Sequence, residues 1–350
     1  MRLAVFVPNW IGDVVMATPA LAALRAHFAQ AEMVGVLKPY VAGVLAGSRV
    51  FDRLIFSGGA SLGGVARDVA RLRQQAIDVA VLMTNSFRSA CVAWAGGCRR
   101  IVGYHRDGRG WLLTDRLPSL RDTHGRFLPS PVIDSYNQLA THLGCPDPGY
   151  RMALFTTPED EAHADRVWRH LGLDRATEVV LLNPGAAFGS SKLWPPGHFA
   201  EVACRLCERP GCRVLVLCGP NERGLAREIA SRAACPKVAS LADEVPSLGL
   251  LKACVRRASL LITTDSGPRH FAAAFDRPVI TLFGPTHIAW TETYHAKAIH
   301  LQKRMPCGPC QLRTCPLDHA CMRDLTPEEV MDAVVTLLPT STPTVRRRAS

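Results

Sequence analysis

Residues 258–285 read ASLLITTDSGPRHFAAAFDRPVITLFGP. An apolar run at 259–262 empties into Thr263-Thr264-Asp265-Ser266-Gly267, a helical pattern opens there, and a second apolar run at 278–283 follows Asp276 and Arg277. The spacing predicts a strand, turn, helix and strand whose polar residues collect at the C-terminal end of the first strand. In open parallel sheets ligands bind at such strand ends, because a crevice opens there and the helix start offers free N–H groups. An anionic ligand above Asp265, Ser266 and Gly267 is the expectation.

The same rhythm runs outward in both directions. Short apolar runs at 3–7, 34–37, 54–56, 79–83 and, more weakly, 100–102 alternate with helical patterns. A helix is expected over 14–28, kinked or restarted at Pro19, which removes a hydrogen bond. Between 104 and 131 the pattern fades into Gly, Arg, Asp and Pro. A helix at 133–143 follows, and Gly144-Cys145-Pro146-Asp147-Pro148-Gly149 reads as a linker. The alternation restarts with a charged helix at 158–171, strands at 179–182, 213–217 and near Val238, and helices at 197–208, 222–233 and 245–254, and a helix at 327–338 closes it. Strands alternating with helices predict an α/β protein with parallel sheets covered on both faces. The expected architecture is two Rossmann-like, doubly wound domains facing a cleft, at 1–149 and 150–338, with a disordered tail at 339–350.

Composition agrees with two domains: 350 residues is about twice the commonest domain size. With 48% hydrophobic and 20% charged residues, disordered and fibrous classes are excluded. The opening run Met1-Arg2-Leu3-Ala4-Val5-Phe6-Val7 is too short for a signal peptide, and no stretch approaches the roughly 18 to 20 apolar residues that span a bilayer. A soluble, cytoplasmic protein is expected. The net charge is +11, and between 99 and 126 seven arginines stand against three aspartates. Such a segment suits phosphate groups, nucleic acid or an anionic membrane face, or else is a solvated loop.

Most of the thirteen cysteines, such as Cys218 and Cys254, sit singly in apolar segments and read as reduced core residues. The exception is Cys307-x2-Cys310-x4-Cys315-x5-Cys321. Four thiols so close together suit a structural Zn or Fe outside any catalytic step, or else unliganded thiols or a redox-sensitive pair.

Three further loops lie at predicted strand ends. Asp13, after Pro8-Asn9-Trp10-Ile11-Gly12, is either a general base facing the cleft or a helix N-cap, and the spacing alone favours the cap. In Asn183-Pro184-Gly185-Ala186-Ala187-Phe188-Gly189-Ser190-Ser191-Lys192, small residues admit a ligand to the backbone and Lys192 offers a compact charge for a diphosphate, unless it is a solvated surface lysine. The glycine spacing is not that of a Walker loop. Glu222, after Cys218-Gly219-Pro220-Asn221, either accepts from ribose hydroxyls or merely occupies the first turn of its helix.

Taken together, Pro8-Asn9-Trp10-Ile11-Gly12-Asp13, the Pro184-Gly185-Ala186 and Lys192-Leu193-Trp194-Pro195 pieces, and Thr263 to His270 with Leu282-Phe283-Gly284-Pro285-Thr286 resemble glycosyltransferase family 9, the bacterial lipopolysaccharide heptosyltransferases. The resemblance extends to about residue 338. It implies the GT-B arrangement and an inverting transfer, without metal or other catalytic cofactor, of L-glycero-D-manno-heptose from ADP-heptose to the first heptose of the Kdo-lipid A inner core. It also implies peripheral contact with the inner face of the cytoplasmic membrane, and no nucleic acid partner. By position, Asp13 is the base, Lys192 neutralises the diphosphate, Glu222 lies near the adenosine and Asp265 holds the heptose, with Ser266, Gly267 and His270 completing the donor site. Ala187 and Phe188 stand where some members carry hydroxyl residues near the diphosphate, so contacts there fall to backbone or to Ser190 and Ser191. The anionic Kdo and phosphates of the acceptor give Arg106, Arg109 and Arg126 a partner. The other readings are a family transferase with another donor or acceptor, and a nucleotide-binding protein of the same fold without transfer activity.

Overall fold

The computed structural model describes residues 1–59 and 61–339. The tail expected to be disordered lies, apart from Pro339, outside the described residues. The first half runs β1 (Arg2–Phe6), α1 (Ile11–Met16), α2 (Thr18–His27), β2 (Glu32–Leu37), α3 (Pro39–Leu45), β3 (Arg53–Phe56), α4 (Leu62–Gln75), β4 (Val79–Leu82), α5 (Phe87–Ala95), β5 (Arg100–Tyr104), β6 (Asp115–Leu117) and α6 (Val132–His142). The second runs α7 (Pro158–His170), β7 (Glu178–Asn183), α8 (Pro196–Cys207), β8 (Cys212–Val216), α9 (Arg223–Ala233), β9 (Val238–Ser240), α10 (Leu248–Arg257), β10 (Leu260–Thr264), α11 (Pro268–Ala274), β11 (Val279–Phe283), β12 (Ala298–Gln302), α12 (Ala320–Arg323) and α13 (Pro327–Leu337).

The strands form two parallel six-stranded sheets, ordered β3-β2-β1-β4-β5-β6 and β12-β11-β10-β7-β8-β9. Both sheets are doubly wound, and the order reverses beside the first strand of each, between β1 and β4 and between β7 and β10. A crevice opens at each reversal, above the carboxyl ends of the strands. Strand β10 is buried at every position, because it lies inside its sheet and helices cover both faces.

The helix expected over 14–28 is two helices, and the first starts three residues earlier, at Ile11. Pro19 has no N–H to give the carbonyl of Val15, and the Thr18 hydroxyl donates to that carbonyl instead, at 2.6 Å. The helix expected at 245–254 begins at Leu248, where the Ser247 side chain accepts from the Leu250 N–H. Strands β6 and β12 were not anticipated: both are short and lie at sheet edges.

One apolar core joins the two halves. Val14, Met16 and Val41 from the first half pack in the same cluster as Leu250, Val255 and Phe271 from the second, whereas the faces covered by α4 with α5 and by α8 with α13 form separate clusters. Lys252, fully buried in α10, donates to the Ala46 carbonyl at 2.9 Å, and Tyr294 donates to Asp134 at 3.0 Å, so polar bonds also tie the halves. No described helix is long and apolar enough to cross a membrane.

Candidate functional site

The two crevices meet in one cavity of about 820 Å³. Trp10, Ile11, Gly12, Asp13 and Tyr40 line it from the first half, and Asn183, Gly185 to Phe188, Lys192, Glu222, Asp265 to Pro268 and His270 from the second. Helices α1 and α11 touch at its floor. A Cβ on Gly12 would stand 2.7 Å from the His270 ring, and one on Gly267 would stand 2.4 Å from Ile11, so both glycines are set by close approach.

Asp265 is the hub of the second half of the site. Its carboxylate accepts from the Lys192 ammonium at 2.5 Å and from the Thr286 hydroxyl at 2.7 Å. Burial opposes ionisation, but the charges of Lys192 and Arg269 and these hydrogen bonds outweigh it and hold the carboxyl below the usual range. Lys192 also donates to the Asp265 carbonyl at 3.0 Å and lies 4.8 Å from the centre of the Phe188 ring. It is buried, which removes the reading as a solvated surface lysine. Asn183, at the end of β7, donates to Thr263 at 3.0 Å and Ser266 at 2.9 Å, locking the two central strand ends together. The Asp265 N–H goes to the Leu282 carbonyl and Pro268 carries none, so Ser266 and Gly267 are the two residues whose amides are available at this turn.

Asp13 is not a cap. Trp10 occupies that position, and Asp13 lies in the first turn of α1. Burial raises its pKa to about 6, the Asp265 charge adds to the rise, and Lys192 partly offsets it. A half-buried carboxylate at the cavity wall with a pKa near neutrality has the properties of a general base.

Glu222 precedes α9 rather than lying in its first turn. Its carboxylate accepts from the Gly219 N–H at 2.9 Å and reaches so close to Gly185 that a Cβ there would lie 2.1 Å away. His270 is buried and held neutral, chiefly by burial and then by the Arg269 charge, and its Nδ1 has no partner among the described residues.

Arg109, expected to meet the acceptor, does not reach the surface. It is wholly buried, and its guanidinium donates to the carbonyls of Tyr104 at 3.0 Å and Thr84 at 2.5 Å and to the Asn85 side chain at 2.9 Å. It organises the loops after β4 and β5 and has no face left for an acceptor. Arg106, stacked 4.2 Å from the Phe127 ring centre and paired with Asp107, and Arg126, exposed and paired with Asp122, stay at the surface.

The cysteine segment fits a metal poorly. Cys307 is exposed and Cys310, Cys315 and Cys321 are half-buried. Among the described residues no three His, Cys, Asp or Glu side chains converge closely enough to share a cation. Instead the segment straps the site from behind. The Arg313 carbonyl accepts from the Ser191 N–H at 3.1 Å, the Leu312 carbonyl accepts from the Ser191 hydroxyl at 2.5 Å, and His319 bonds the Ser191 carbonyl at 2.7 Å. On the other side the Gln311 N–H donates to the Pro285 carbonyl at 2.9 Å. The strap thus braces both turns that hold Asp265, the one carrying Lys192 and the one carrying Thr286.

Sequence reasoning missed Arg269, Thr286, Asn183 and this strap. Arg269 is buried beneath the site, where it donates to the Thr291 carbonyl at 2.6 Å. It stands inside the resemblance motif, but its burial has no local signal.

Comparison with known proteins agrees with this fold. The chain is 26% identical over 349 residues to a lipooligosaccharide heptosyltransferase 2 of Campylobacter jejuni, covering 97% of this chain and 99% of that one. It is 25% identical over 354 residues to lipopolysaccharide heptosyltransferase 2 of Salmonella typhimurium, again covering 97% and 99%. The fold superposes on the solved E. coli ADP-heptose LPS heptosyltransferase II with a TM-score of 0.77 at 24% identity, over 96% of this chain and 98% of that one. Residues 65–321 match the family model for glycosyltransferase family 9 (heptosyltransferase). With its paired doubly wound sheets and a shared cavity between them, the chain belongs to glycosyltransferase family 9.

Proposed function

We propose that the protein is a heptosyltransferase II: an inverting glycosyltransferase that moves L-glycero-D-manno-heptose from ADP-heptose to heptose I of the Kdo-lipid A inner core. The observation that carries this reading is the single cavity in which Asp13 from one half faces the Lys192–Asp265 pair from the other. Its full-length similarity to proteins named heptosyltransferase 2 supports the choice of donor and acceptor.

In this reading residues 1–149 hold the acceptor and residues 150–338 the donor. Asp13 takes the proton of the acceptor hydroxyl as its oxygen attacks the anomeric carbon. The bond from that carbon to the ADP oxygen breaks, with inversion, and ADP leaves with the extra negative charge. Lys192 and the Ser266 and Gly267 amides stabilise that charge, a role that fixed donors fill without a metal or other cofactor. Asp265 orients the heptose, neutral His270 lies beside it, Phe188 and Ala187 wall the diphosphate, and Glu222 accepts from the adenosine ribose. Arg106 and Arg126 are the surface charges offered to the anionic acceptor. The protein works as a cytoplasmic enzyme at the inner face of the membrane, where a lipid-anchored acceptor is found.

One observation favours a second reading within the family, with a different nucleotide sugar: neither Ala187 nor Phe188 supplies a hydroxyl to the cavity. The test is to supply ADP-heptose with Kdo-lipid A already bearing one heptose and to follow ADP release and the mass of the acceptor. Release of ADP with a gain of one heptose is expected. No transfer with this pair, but transfer with another sugar nucleotide, replaces the first reading by the second.

A further inference from the structure

The cavity is short of positive charge for the ligand proposed to fill it. Lys192 is the one cation among the described residues that line it, against the carboxylates of Asp13, Glu222, Glu244 and Asp265. The Lys192 ammonium is already paired with Asp265, and His270 is neutral. A diphosphate brings more negative charge to a wall that is negative before it arrives, and an ammonium shared with a carboxylate is a weak counter-charge for it. Arg269, beneath the site, is spent on Thr281, the Thr291 carbonyl and His300. Nor do neighbouring hydroxyls replace those absent at Ala187 and Phe188. Ser191 is buried with its hydroxyl donated to the Leu312 carbonyl, and neither Ser190 nor Ser191 lines the cavity.

The cysteine-rich strap carries a cation to this place. Arg313 is exposed, and its guanidinium carbon lies 5.5 Å from the centre of the Phe188 ring, the same ring that has the Lys192 ammonium 4.8 Å from its centre. Phe188 lines the cavity, so Arg313 stands at the rim, one ring away from Lys192. The Arg313 backbone is fixed there. Its carbonyl accepts from the Ser191 N–H, and a Cβ on Gly189 would stand 2.2 Å from that carbonyl oxygen, so the loop bearing Phe188 and Lys192 is shaped to seat the strap. The side chain is not fixed: among the described residues its guanidinium meets no carboxylate and no hydrogen-bond acceptor, and the Phe188 ring is its contact. An arginine stacked on an aromatic face keeps its N–H fork free, and that fork matches two phosphate oxygens. Rotation about its own side-chain bonds, a fast motion for an exposed residue, swings it from the rim toward the diphosphate.

We propose that Arg313 is a donor-binding residue, the second cation of the site, which closes over Phe188 onto the diphosphate of the sugar nucleotide. The inference rests on the reading of the ligand as a sugar nucleotide, and its test is binding rather than transfer. ADP, UDP and adenosine are titrated, by calorimetry and ligand-detected NMR, into wild type, Arg313→Ala, Arg313→Lys and, as a control for surface charge, Arg205→Ala on α8. The Arg313 side chain is exposed, so its variants should keep the wild-type unfolding temperature. Arg313→Ala should bind ADP roughly tenfold or more weakly, with adenosine unchanged. Arg313→Lys should lie between the two, because lysine keeps the charge and loses the fork, and Arg205→Ala should match wild type. An Arg313→Ala protein that binds ADP like wild type overturns the proposal and leaves the donor reading standing. An equal loss of affinity for adenosine also overturns it, since Arg313 would then support the loop rather than meet the phosphates. Wild type that binds UDP in place of ADP, with the same loss in Arg313→Ala, overturns the choice of donor and keeps the role of Arg313.

Discussion

Replacing Asp13 by Asn separates stability from activity, and the structure sets the size and the pH range of the effect. The carboxyl pKa is raised from 3.8 to about 6, first by burial and then by the Asp265 charge. At about 1.4 kcal/mol per unit, the ionised carboxylate of this half-buried group destabilises the folded state by about 2 to 3 kcal/mol. The folded chain holds the proton more tightly than the unfolded one. The penalty is therefore absent below about pH 4, grows between about pH 4 and pH 6, and is complete above it. Asp13→Asn should unfold in urea with a stability about 2 kcal/mol or more above wild type at pH 8, and equal to it at pH 4. Its transfer rate should fall by a factor of roughly 10² to 10⁴. The wild-type kcat/KM, which reports the free enzyme, should rise through an inflection near pH 6. A stability difference that is the same at both pH values, a flat kcat/KM profile, or wild-type transfer by the variant would refute the assignment of Asp13 as a strained base.

Asp265→Ala strands the Lys192 ammonium in a buried site and should destabilise the protein by about 3 to 5 kcal/mol, read by urea unfolding; a loss under about 1 kcal/mol would mean that Lys192 finds water or another partner. Glu222→Gln should raise KM for the nucleotide sugar roughly tenfold while leaving kcat nearly unchanged, and a selective fall in kcat would move Glu222 into the chemistry. Arg109→Ala leaves the carbonyls of Thr84 and Tyr104 unpaired and should lower stability by on the order of 3 kcal/mol. If it instead weakens acceptor binding with stability intact, its place as a loop organiser is wrong. Ser191→Ala loosens the strap behind Lys192 and should raise KM for the donor several-fold, measured with the acceptor saturating.

The amino-acid chain alone spells out the layered α/β architecture, because buried parallel strands are written as apolar runs and their connecting helices as amphipathic ones. It also located the loops that carry chemistry, since a ligand crevice at a strand end needs small and polar residues there, as at Asn183 to Lys192 and Thr263 to Gly267. Strands β6 and β12 escaped it because edge strands of three and five residues, half-polar in composition, have no periodicity to read. Partners far apart in the chain are set by packing alone. Lys192 and Asp265 form their pair across 73 positions. Asp13 acquires its raised pKa from burial and from a charge more than 250 residues away. The same local text, an arginine in a basic loop, gives a wholly buried Arg109 and an exposed Arg126. Burial and charge pairing are properties of the packed chain, so residue type and spacing reach the place of a site but not the electrostatic state of the groups within it.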